Sequence, residues 1–139
     1  MGEMAQEVIV YVEAEVNPTE DEEKVRQAIS NVVGGAEFTV EPAHKGSVLR
    51  AEAKGQESLS KFRNMLRNDR IRDASRKLLY RALSGDKISF YLNKQVAYAG
   101  HVSFSEESGE SPLGPLRVTI QTSSPMQLID WLAEKTERK

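Results

Sequence analysis

Between Lys61 and Arg81 the chain sets eight basic side chains, Lys61, Arg63, Arg67, Arg70, Arg72, Arg76, Lys77 and Arg81, against two acids, Asp69 and Asp73. Six of the eight are arginines, whose planar fork of N–H donors can grip a phosphate through two parallel hydrogen bonds. The excess is local. The whole chain has a formal net charge of -2, yet residues 61–100 hold ten Lys and Arg to three Asp and Glu, and residues 1–60 hold five to twelve. A polyanion such as RNA is the partner that this segregation favours, through neutralisation of backbone phosphates. Asp73 can pair within a helix with Arg70, Arg76 and Lys77, but each such pair contributes only about 0.2–0.5 kcal/mol and two acids cannot balance eight bases. The competing readings are a solvated helix face and a contact with an acidic protein surface, such as the acidic first helix of a second copy.

A second candidate is Asn93-Lys94-Gln95, read as the tip of a hairpin between Ile88–Leu92 and Val96–Phe104. It would set amide donors and a cation beside Tyr91 and Tyr98, a combination suited to a phosphate and a stacked unpaired base. The plainer reading is a two-residue turn between strands in which tyrosine is an ordinary occupant, and that reading weighs more. Catalytic chemistry has little to stand on. His44 and His101 have no second histidine at ligand spacing, and no zinc-protease, phosphate-loop or nucleophile-elbow pattern occurs. The absence of cysteine excludes disulfides, thiol catalysis and thiolate-bound metals. Glu106, Glu107 and Glu110 group in a polar loop where carboxylates more often solvate the chain than bind a divalent cation. The expectation is a protein that is not an enzyme and takes no cofactor or metal. Ser111–Leu116 (SPLGPL) reads as a rigid route into a strand rather than a ligand cradle.

The elements that would carry these residues alternate in period. Val8, Val10, Val12, Ala14 and Val16 recur every second residue, a strand with Ile9 and Tyr11 on its other face. Thr19 with Glu22 three residues on resembles a capping box, opening a helix that turns Val25, Ala28, Ile29 and Val32 inward and stops at Gly34-Gly35. Phe38–Glu41 and Ser47–Lys54 read as a hairpin. Leu59, Phe62 and Leu66 form one helical stripe, and Ile71, Ala74, Leu78 and Ala82 a second, with a break near Asn68-Asp69. On the second helix Arg70, Arg76, Lys77 and Arg81 spread over the side opposite the apolar sector, while Arg72 lies near its rim. After the hairpin and the loop from Ser105 to Pro115 comes a strand, Leu116–Thr122. A last helix follows, with Ser124 at its N-cap, Pro125 at the first position and Gln127 in the capping-box place. It runs through Met126, Ile129 and Leu132, and Trp131 covers a core edge.

With 139 residues, 39% hydrophobic and 29% charged, the chain fits one domain over 1–139 with a flexible charged C-terminal end. No apolar run approaches about 18 residues, and no charged-then-apolar leader pattern occurs, so a soluble, cytoplasmic protein without membrane contact is expected. The fold class is α+β, with helices packed on a largely antiparallel sheet.

The segments RIRDASRKLLYRAL, FYLNKQVAYAG, SPLGPLRVTI and IDWLA, in this order and spacing, resemble a family of uncharacterised archaeal proteins described as predicted RNA-binding or exosome-associated. The match covers nearly the whole chain. It implies a fold like that of the large-subunit ribosomal protein that binds five-S ribosomal RNA. Where this chain has Arg72, the family pattern often has an apolar residue. Residues and resemblance together lead to a non-catalytic RNA-binding module that uses the basic helices for phosphates. The alternative is a structural or regulatory protein-interaction module, including a homodimer.

Overall fold

A computed structural model describes residues 7–106 and 113–135, and among them places five α-helices on a seven-stranded sheet. The strands are β1 (Val8–Val16), β2 (Glu37–Pro42), β3 (Ser47–Lys54), β4 (Leu83–Ser84), β5 (Lys87–Asn93), β6 (Phe104–Ser105) and β7 (Pro115–Thr122). The helices are α1 (Glu22–Val32), α2 (Ser60–Asn68), α3 (Arg72–Arg81), α4 (Lys94–Tyr98) and α5 (Pro125–Leu132). Every strand pairing is antiparallel. The order is β2-β3-β1-β7-β5-β4, with β6 also paired to β5. The fold class is therefore α+β, as the alternating periods indicate.

The central strands bury one face. Val8, Val10, Val12, Ala14 and Val16 of β1 lie in one core with Leu49 and Ala51 of β3, Ile88, Phe90 and Leu92 of β5, and Leu116, Val118 and Ile120 of β7. Helices cover that face with Val25, Ala28, Ile29 and Val32 from α1, Phe62 and Leu66 from α2, and Leu128, Ile129 and Leu132 from α5. Phe62 stacks on Phe90 with ring centroids 5.6 Å apart, and Phe104 closes the group edge-on. Among the described residues no helix covers the other face. There Arg50 pairs with Glu13 and Glu41 across the strands, and Tyr11 is exposed.

Four local expectations change. The N-cap of α1 is Asp21, whose carboxylate accepts from the Glu23 N–H at 3.0 Å, rather than Thr19. Glu20 is diverted into a buried ion pair, which fixes the turn ahead of the helix. Asn93-Lys94-Gln95 is not a hairpin tip, and the Val96–Phe104 strand is mostly replaced by α4 and a loop carrying His101. Asn93 caps α4 by accepting from the Val96 N–H at 2.9 Å, and only Phe104 and Ser105 return to pair with β5. The inner line of α3 centres on Ser75 and Leu79, with Ile71, Leu78 and Ala82 half-buried beside it and Ala74 exposed. In α5 Leu128 takes the buried place and Met126 is exposed, while Trp131 packs at the core edge as expected. Glu107, Glu110, Ser111 and the charged end, residues 136–139, lie outside the described residues.

Candidate nucleic-acid interface

Bases from both α2 and α3 meet two acids, Asp130 of α5 and Glu134 just beyond its C-cap. Arg76 pairs with Asp130 at 2.7 Å, and Arg63, Arg67 and Arg72 surround Glu134 at 3.2, 3.6 and 3.6 Å. Arg72 and Arg76 stand one helical turn apart on α3, Asp130 and Glu134 are four residues apart in sequence, and the two pairs meet in opposite order. Arg72 and Arg76 are half-buried in these contacts, with side chains 28% and 26% exposed.

Arg63 and Arg76 are held by more than charge. Arg63 lies 5.1 Å over the Trp131 ring and donates from Nε to the Trp131 carbonyl at 2.8 Å. Arg76 lies 5.2 Å from the Tyr80 ring and donates to the Ala133 carbonyl at 3.2 Å. Both thus satisfy carbonyls at the C-terminal end of α5, where the helix dipole favours a cation. The Tyr80 hydroxyl donates to Asp130 at 2.8 Å, and burial together with that carboxylate pushes its ionisation above the usual phenol range.

Lys61, Arg67, Arg70, Lys77 and Arg81 are exposed. Lys61 donates to the Ser30 carbonyl at 3.0 Å, which leaves its ammonium donors to spare. Lys77 and Arg81 line an open depression with Asp73, Arg76, Tyr80 and Lys135. Arg70 stands outside both helices, at their corner, with φ +60. Around it the Arg70 N–H bonds the Arg67 carbonyl and the Ile71 N–H bonds the Leu66 carbonyl, both at 3.1 Å. This is the Schellman ending of a helix, with arginine in the left-handed place that glycine usually takes. Next to it Asp69 holds the loop after α4, through His101 Nδ1 at 3.0 Å and the Val102 N–H at 3.1 Å. Burial raises the ionisation of Asp69, but the hydrogen bonds from His101 and Val102 outweigh it and hold the carboxyl below its usual range. Sequence reasoning missed His101, Lys135, Tyr80 and Trp131 as neighbours of the basic face. The matched turn spacing of Asp130 and Glu134 was the one signal that could have tied α5 to these helices.

The second candidate does not assemble. Lys94 is 4% exposed, and its Nζ is surrounded by the Glu15 carbonyl at 2.7 Å, the Leu113 carbonyl at 2.9 Å and both Glu20 oxygens at 3.0 and 3.1 Å. A cation so fully bound inside the protein has no donor to offer a phosphate. Asn93 is used as a cap, and Gln95 alone of the three is exposed. Tyr91 faces the open side of the sheet opposite Arg117, whereas Tyr98 lies on α4 with Lys24 5.9 Å from its ring. Leu113, in SPLGPL, acts structurally by accepting from Lys94 and from Asn17. Among the described residues no group of His, Asp and Glu could hold a metal ion, and no helix is long and apolar enough to cross a membrane.

A family model described as RNA binding matches residues 9–122. The chain is 46% identical over 129 residues to a UPF0201 protein of Sulfurisphaera tokodaii, covering 93% of this chain and 89% of the relative. It is 41% identical to one from Aeropyrum pernix, covering 94% and 88%. Among solved structures it resembles the UPF0201 protein of Methanococcus jannaschii, with a TM-score of 0.81, 32% identity and coverage of 93% and 95%. Mth689, a DUF54 protein from Methanothermobacter thermautotrophicus, shares the fold at a TM-score of 0.61 and 22% identity. The matched residues run from the second residue of β1 through α2 and α3 to the end of β7, and with these relatives they show that this chain belongs to the archaeal UPF0201 family.

Proposed function

We propose that the chain is a non-catalytic RNA-binding module whose contact surface is the exposed part of the α2–α3 basic face. The observation that carries this reading is the imbalance left after α5 has taken its share. Asp130 and Glu134 engage Arg63, Arg67, Arg72 and Arg76, while Lys77 and Arg81 stay exposed beside Lys135 and Arg70 stays exposed at the corner between the helices. These side chains reach solvent, as phosphate contacts require. The family description and the likeness to the five-S-RNA-binding fold implied by the sequence resemblance support the same reading, and action in the cytoplasm fits it. Asn93 and Lys94 have no part in it.

The experiment is a titration of a labelled, mixed-sequence single-stranded RNA at several salt concentrations. The wild type is compared with the triple variant Arg70→Gln, Lys77→Gln, Arg81→Gln after equal thermal stability has been established. Loss of three phosphate contacts lowers the slope of log affinity against log salt by about 2, with little change in base preference. Equal affinity and equal slope would overturn the reading. They would favour a protein-interaction module, for which the uncovered sheet face around Tyr11, Glu13 and Arg50 is the available surface.

A further inference from the structure

Three guanidiniums from two helices converge on the single carboxylate of Glu134. We propose that Arg63, Arg67 and Arg72 form a phosphate-binding site in which Glu134 holds the place of an RNA phosphodiester and is displaced by it. The inference rests on the RNA-binding reading and gives it a defined anion site.

The two acid–base contacts between α5 and the basic helices differ in kind. Asp130 lies within α5, meets Arg76 at 2.7 Å and also accepts from Tyr80 at 2.8 Å, so it is locked by the helix and by two donors. Glu134 lies beyond the α5 C-cap, Ala133, and its side chain is 49% exposed. Of its three arginine contacts only the one to Arg63, at 3.2 Å, is of hydrogen-bond length; those to Arg67 and Arg72, at 3.6 Å, are too long. One negative charge among three positive ones leaves a local excess, and the carboxylate is too small to satisfy three forks.

Arg63 does not depend on Glu134 for its position. Arg63 is fixed by the Trp131 ring and carbonyl, and Arg72 is half-buried against the helix rim with its side chain 28% exposed. A phosphodiester carries the same single charge as the carboxylate on two more widely spaced oxygens and can engage more than one arginine fork. Displacement therefore exchanges one anion for a better-matched one at a site anchored by Arg63, while Glu134, beyond the α5 C-cap, swings into water.

Two readouts test this with the full chain. The first is anisotropy of a labelled 20-nucleotide mixed-sequence RNA. Glu134→Gln removes the competing charge without changing size, and the variant should bind about three- to tenfold more tightly at low salt, the scale of one screened unit-charge interaction at contact distance. That gain should vanish when Arg72→Gln is added, because the site has then lost the arginine that makes the exchange favourable. The second readout is the emission of Trp131, the one tryptophan of the chain, over which Arg63 lies. Inorganic phosphate should shift it at lower concentration in Glu134→Gln than in the wild type, and not in Arg72→Gln. If Glu134→Gln binds RNA no better than the wild type, or if its gain survives Arg72→Gln, the displaced-carboxylate site is overturned while RNA binding by the exposed bases stands. If neither protein binds RNA at any salt concentration, both readings fall.

Discussion

Replacing Arg70 by glycine should raise stability and lower RNA affinity at once. Arg70 occupies the left-handed region, φ +60, at the corner where α2 hands over to α3. A side chain there crowds the following carbonyl at a cost of roughly 1–2 kcal/mol, which glycine avoids. Glycine gives back about 0.5–1 kcal/mol through the greater freedom of the unfolded chain. The net expectation is stabilisation by about 0.5–1 kcal/mol, a rise of roughly 2–5 °C in Tm for a domain of this size. The two corner hydrogen bonds, Arg70 N–H to Arg67 and Ile71 N–H to Leu66, are backbone bonds that glycine keeps. The same substitution removes an exposed guanidinium, so the salt slope of RNA binding should fall by about 0.7, one single-strand phosphate contact. Arg70→Gln is the companion variant, because it loses the same charge but keeps the backbone strain. Melting curves and salt-dependent anisotropy of the three proteins decide the matter. Should Arg70→Gly melt no higher than Arg70→Gln, the strain argument is wrong; RNA affinity unchanged in both variants would remove the corner from the interface.

Lys94→Met should destabilise the fold by about 3–5 kcal/mol in urea titrations, since it leaves the Glu20 carboxylate and two carbonyls around a vanished cation, while RNA affinity of the folded protein stays near the wild-type value. Burial pushes the Glu20 carboxyl upward, but hydrogen bonds from Asn17 and Lys94 outweigh it and hold the group below its ordinary range. Its stabilising contribution is therefore present above the unfolded carboxyl value of about 4.3 and is lost as pH falls through the lower folded value, and the stability of Lys94→Met should show a weaker acid dependence over that window. Ser75→Ala should be neutral or stabilising by up to about 1 kcal/mol by thermal melting, because the buried Ser75 hydroxyl has no hydrogen-bond partner among the described residues. Leu79→Ala should cost about 2–5 kcal/mol and the half-buried Leu78→Ala distinctly less, and equal losses would contradict the orientation of α3.

Elements whose signals are local could be read from the order of residues alone. Alternation every second residue marks β1, β3 and β7 because a strand with one buried face must turn successive side chains to opposite sides. The inward stripe of α1, the break near Asn68-Asp69 and the start of α5 at Pro125 follow from equally short-range chemistry. The concentration of bases between Lys61 and Arg81 was likewise legible, as charge needs no fold to be counted. Their exposure was not. Arg63 and Arg76 look as free in sequence as Lys77 and Arg81, yet they cap and pair with α5, which lies 57 positions away in the Arg76–Ala133 bond and 68 in the Arg63–Trp131 bond. Lys94 shows the same limit more sharply. Beside Asn93 it looks like an exposed turn, and only the approach of Glu20, Glu15 and Leu113 from distant segments makes its burial favourable. Local pattern sets which backbone conformations are available, whereas the fate of a charge depends on partners that the folded chain brings close, since burying an ion is tolerable only where opposite charge and acceptors surround it.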